Sequence, residues 1–154
     1  MQTTKLKTNE LIHAALHWAV AKCQGLQIYK DAMLDGRVKE GWWVSGLSTD
    51  PNTWHPLSTF NPSTNWTQGG PIIEQEGINV RAIRKEDHAL NGQWLAAYDH
   101  GNTGTLVQWV KRTDFPKHYF PGSTPLIAAM RCYVASKLGD EIDIPDDVCQ
   151  LGSS

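Results

Sequence analysis

Two stretches near the ends of the chain, residues 8–24 and 124–138, repeat their apolar side chains at helical spacing, and this pair constrains the fold more than any other feature. In the first, Thr8 or Asn9 suits an N-cap, Glu10 falls in the first turn, and Gly25 stands where a helix stops. Leu11, Ile12, Ala15, Leu16, Ala19, Val20 and Cys23 form the stripe that needs burial, with Glu10, His13, His17 and Gln24 on the other side. In the second, Thr124 caps, Pro125 fits the first helical position, and Gly139 follows Leu138 as a stop. Leu126, Ile127, Met130, Val134 and Leu138 make its apolar face.

Between the helices the pattern changes to strands. Residues 25–29, 37–44, 78–84, 93–98 and 105–110 alternate or run apolar over strand lengths. Asn91-Gly92 predicts a hairpin turn before the Trp94 strand, and His100-Gly101-Asn102 another before the Thr105 strand. Pro71 to Glu76 predicts one short helix, and the five acids of residues 140–147 predict a solvated tail that frays at Gly152-Ser153-Ser154. At 154 residues the expectation is a single α+β domain, an antiparallel sheet with the N- and C-terminal helices packed on one face.

Composition narrows function. The net charge of −2 offers no basic excess for a phosphate backbone, so nucleic acid is not an expected partner. No run reaches membrane-spanning length and no apolar leader opens the chain, which predicts a soluble intracellular protein. Cys23, Cys132 and Cys149 are odd in number and lack a C-x-x-C spacing, as suits a reducing compartment. His13 and His17 are four apart, yet Ala14 stands where the metalloprotease pattern needs Glu, so an exposed polar face is expected there. Cys132 follows Arg131 but reads as a small core residue, and the acids of the tail lack the spacing of a calcium loop. No nucleophile elbow, phosphate loop or dinucleotide fingerprint occurs. No catalytic residue, metal ligand or cofactor is expected, and the chain does not read as an enzyme.

Residues 60–71 differ from the rest. Ser63, Thr64 and Asn65 lie between Phe60 and Trp66, Thr67 follows, and Gly69-Gly70 would let backbone approach a ligand before Pro71 starts a helix. Gly122-Ser123-Thr124-Pro125 is a second helix start of the same kind. Two such termini suit two phosphates, and Trp66 suits stacking on a base. Local capping accounts for the same residue types, with Trp66 then placed in the core.

Several segments resemble the NinX-like accessory proteins of lambdoid phages. They are Lys7-Thr8-Asn9-Glu10-Leu11 onward to Gly25, Pro62-Ser63-Thr64-Asn65-Trp66 with Gly69-Gly70-Pro71-Ile72-Ile73-Glu74, Trp94-Leu95-Ala96, and Thr124 through Lys137 to Glu141. Residues 29–55 and 99–119 carry no such resemblance. The resemblance implies a small accessory phage protein made in an infected bacterium, hence in the host cytoplasm. In size and dispensability such proteins resemble the sponges that sequester nucleotide immune signals. The expected function is therefore capture of a nucleotide-derived small molecule to evade host defence. Ser63, Thr64 and Asn65 would bond phosphate or ribose, Gly69 and Gly70 would give backbone donors, and Trp66 with Phe60 would stack. Arg131 would supply counter-charge and Thr124 a second anchor, with the ligand enclosed in a homo-oligomer. A protein-interaction adaptor in replication or recombination is the alternative, and a nucleotide-degrading enzyme the third reading.

Overall fold

The computed structural model describes residues 2–47, 50–98 and 119–151. Both bracketing helices are present and pack on each other: α1 spans His13–Cys23, and α3, the third described helix, spans Pro125–Leu138. The hydroxyl of Thr124 accepts the Ile127 N–H at 3.1 Å, Pro125 sits in the first turn, and Gly139 follows the last turn at φ +91°. Residues 126–130 and 132–134 of α3 are buried, as are residues 15–21 of α1. Helices so nearly apolar all round need cover on several sides.

The first helix begins later than its sequence predicts. Thr8–Glu10 form one 3-10 turn, Leu11 and Ile12 are extended, and Ile12 precedes α1 without a side-chain cap. Thr8 is committed elsewhere, its N–H donating to the Asp140 carbonyl at 2.8 Å and its hydroxyl to that of Gly139 at 2.6 Å. That link fastens the two ends of the chain. β1 (Thr3–Lys7) pairs antiparallel with β8 (Glu141–Pro145), the last of eight described strands, from Thr3 opposite Pro145 to Lys7 opposite Glu141. The predicted solvated tail is thus a strand. Glu141 and Asp143 face water while Ile142 and Ile144 are buried, and α4 (Asp146–Leu151) follows with Val148 buried.

Among the described residues, three small antiparallel sheets stand where a single one is expected. β2 (Gln27–Leu34) and β3 (Arg37–Ser45) form a hairpin, with β4 (His55–Pro56) on the far side of β3. The hairpin turns on Asp35-Gly36, at φ +52° and +73°, the tight turn that an Asp-Gly pair favours. β5 (Ile78–Ala82), β6 (Trp94–Tyr98) and β7 (Phe120–Gly122) form the third sheet, and Gly92 turns the chain into β6 as expected. α3 packs on this sheet, whereas α1 packs on β2 and β8, so the helices do not share one sheet face. The expected strand 105–110 and the turn at 100–102 lie outside the described residues.

α2 (Trp66–Glu76) starts well before the predicted Pro71 and carries that proline inside it. Asn65 caps it by accepting the Thr67 N–H at 2.9 Å. Gly77, at φ +67°, closes it.

Met130 is fully buried in α3. Met130→Ala is expected to lower stability by about 2–5 kcal/mol in chemical denaturation. A loss below about half a kcal/mol, the range of surface positions, would take Met130 out of the core.

Candidate functional site

His17 fixes the loop that precedes α2. It is buried, against the expectation of an exposed polar face, and only His13 of the pair is exposed. His17 Nε2 lies 2.5 Å from Ser63 Oγ, and both side chains are enclosed. Burial first, and the neighbouring His13 second, lower the His17 pKa to about 4. The imidazole is therefore neutral at pH 7 and a weak base. The pair pins residues 60–65 to α1. Phe60 and Pro62 are buried there, and the Asn61 carbonyl accepts the N–H groups of Thr64 and Asn65 at 3.0 and 2.9 Å.

The two glycines of this region differ sharply. A Cβ at Gly69 would stand 2.2 Å from the Pro62 carbonyl oxygen and 2.7 Å from Leu126 Cδ2, so glycine is what lets α2 meet both the loop and α3. At Gly70 the nearest atom would be Trp66 Cε3 at 3.8 Å. Trp66 and Gly70, one turn apart, share a solvent-facing side of α2, and Trp66 is 57% exposed. The tryptophan is outside the core.

A cleft of about 380 Å³ runs along the other side of α2. Asn65, Gln68, Ile72 and Gln75 line it at helical spacing, with Thr67 and Pro71 beside them. Gln24, Leu26, Leu47 and Phe60 form the facing walls. No charged side chain is among these described lining residues. Gln68 is structural: its Oε1 accepts the Asn61 N–H at 2.6 Å and its Nε2 donates to the Thr59 carbonyl at 2.8 Å. Gln24 donates from Nε2 to the Tyr133 hydroxyl at 2.7 Å, which leaves its carbonyl oxygen. The Gln75 amide and the Thr67 hydroxyl make no hydrogen bond among the described residues. Sequence reasoning missed Gln24, Thr67 and Gln75. The signal for Gln68 and Gln75, a seven-residue spacing on one helix side, is readable only once α2 begins at Trp66.

Of the nine expected ligand-binding residues, only Phe60 and Asn65 reach this cleft. Ser63 holds His17, Gly69 packs, and Thr124 caps α3. Thr64 is exposed and donates its hydroxyl to the Asn61 carbonyl at 3.2 Å. Arg131 donates from Nε to the Leu11 carbonyl and from Nη1 to that of Pro121, both at 2.8 Å. It stitches the approach to α1 onto β7, and burial pulls its pKa down against the pull of Glu10. Burial also pushes the Cys132 thiol up to about 12 and that of Cys23 to about 11, so both keep their protons. Among the described residues no three metal-ligating side chains converge.

Gly69→Ala should lower stability by about 1–3 kcal/mol by forcing the loop from the helix. Gly70→Ala should instead raise it by up to about 1 kcal/mol through helix propensity. Equal melting temperatures for the two variants would contradict this. His17 adds a pH dependence. Its folded pKa lies near 4 and its unfolded one near 6.5. The native state is unaffected above the unfolded value, loses stability as pH falls from one value to the other, and loses no more below the lower. The total is about 3 kcal/mol. Denaturation curves for the wild type and His17→Gln should therefore converge as pH falls from neutral to about 4. A constant gap between them would mean that His17 is not held neutral.

The family model described as Bacteriophage P22, NinX matches residues 7–137. The match takes in α1, the 60–65 loop, α2, every residue lining the cleft and nearly all of α3, and it also spans 29–55 and 99–119. It stops before β8 and α4. No curated protein matches the sequence. Among the described residues no helix is long and apolar enough to cross a membrane. With most of its length matched, the chain belongs to the phage family described as Bacteriophage P22, NinX.

Proposed function

We propose that this phage protein holds a nucleotide-derived small molecule in the α2 cleft and withdraws it from a defence pathway of the infected cell, without transforming it. The cleft carries this reading: about 380 Å³, with apolar walls and a few neutral hydrogen-bonding groups left unpaired among the described residues, is the make-up of small-molecule sites. Nanomolar capture needs about 12 kcal/mol. Enclosure by a second copy of the chain is part of the reading, since one open cleft offers few contacts toward that figure.

A second reading, the protein-interaction adaptor, draws on a different surface. Tyr29, Met33 and Val38 on the β2–β3 hairpin are each more than half exposed, and Met33 and Val38 are cross-strand partners. Exposed apolar side chains on a hairpin suit contact with another polypeptide.

Native mass spectrometry of the protein purified from cells with an active nucleotide-signalling defence separates the readings. An intact nucleotide, carried by a multimer and released on denaturation, is the expected result. A bound polypeptide with a clean small-molecule fraction would favour the adaptor, and a turned-over nucleotide would favour a degrading enzyme. A bare 17.2 kDa chain would overturn both capture and docking.

A further inference from the structure

We infer that the α2 cleft reads the uncharged base of its ligand and leaves any phosphate in solvent, so that its ligand class is the nucleobase or nucleoside. This rests on the reading of the cleft as a small-molecule site and adds what the site recognises.

Phosphate is held by cations, by free N–H groups at a helix start, or by backbone nests. The described lining contains no Lys, Arg or His. Three N–H groups at the helix start beside the cleft are already occupied. The Thr67 N–H donates to Asn65 Oδ1, and those of Gln68 and Gly69 donate to the Asn65 carbonyl at 3.1 and 2.9 Å. A phosphate placed here would exchange its hydration for a few neutral donors and no cation.

The groups that remain fit a base. The Gln75 amide presents a donor beside an acceptor, the pairing a primary amide makes with the edge of a base such as adenine. The Gln24 carbonyl and the Thr67 hydroxyl add one acceptor and one donor-acceptor. Phe60, Leu26 and Ile72 give the apolar surface that ring faces need. Every one of these groups is neutral, so recognition here does not depend on ionic strength.

Isothermal titration of the full chain with the common ribonucleosides, their 5′-monophosphates and inorganic phosphate, each at low and high salt, tests the inference. At least one nucleoside is expected to bind, its monophosphate should bind within about threefold of it, and salt should change neither. Gln75→Leu, at an exposed helical position, should weaken binding about tenfold with the melting temperature preserved. Glu74→Gln, next to it but outside the cleft, should leave affinity unchanged. A monophosphate that binds where its nucleoside does not, or an affinity that falls steeply with salt, would overturn base-led recognition and leave the small-molecule reading standing. Unchanged affinity in Gln75→Leu would also overturn it. Failure of every nucleoside and monophosphate to bind would remove the inference and the small-molecule reading of the cleft together.

Discussion

Helices α1 and α3 bury seven or eight residues each, and covering them is the constraint from which the remaining structure follows. Small side chains let them approach closely: Ala15, Ala19 and Ala21 on α1, and Ala128 and Ala129 on α3, are all in the core. The cost falls on His17, a polar ring inside the buried run of α1. An imidazole enclosed without a partner would be strongly unfavourable, and Ser63 supplies the partner. That one bond decides where residues 60–65 lie. Asn65 then starts α2, Gly69 seats α2 against Pro62 and Leu126, and the cleft is the space left between α2 and the end of α1.

The three sheets are coverings for these helices. Among the described residues none exceeds three strands, and sheets so small depend for stability on what they pack on. Thr8 makes the division possible. By bonding to Gly139 and Asp140 it brings β1 to β8, and Ile142, Ile144 and Val148 join the core around α1. One antiparallel sheet would have covered a single face of the helix pair. Three patches placed around it cover more.

Legibility in the sequence followed the source of each signal. The apolar spacing of both helices and the Thr124-Pro125 start are local, and the structure keeps them. β1 was invisible because Thr3-Thr4-Lys5-Leu6-Lys7 has one apolar side chain, and its strand character comes from a partner more than 130 residues away. β8 was masked by its acids, although Ile142 and Ile144 alternate with them. Asp35-Gly36 was a readable hairpin signal that would have extended the first strand to Leu34. At the site, capping and ligand binding call on the same side chains, so composition singled out Ser63, Asn65 and Thr124 without separating the two roles. Arg131 was undecidable from sequence, since its acceptors are the backbone carbonyls of Leu11 and Pro121. Trp66 misled because its neighbours suggested a site, while helical geometry turns it away from the cleft.

The β2–β3 hairpin shows how an apolar surface can stand open without inviting sheet growth. Its register shifts between Lys30 and Ala32, where Asp31 takes φ +58° and its carboxylate accepts the Gly41 N–H at 3.0 Å. A bulge of this kind twists a strand edge and blunts it as a template for another strand. The same hairpin carries the contact of Tyr29 with Trp54, their ring centroids 5.1 Å apart. β3 carries Val38 outward at one end and, just beyond Ser45 at the other, delivers Leu47 to the wall of the cleft.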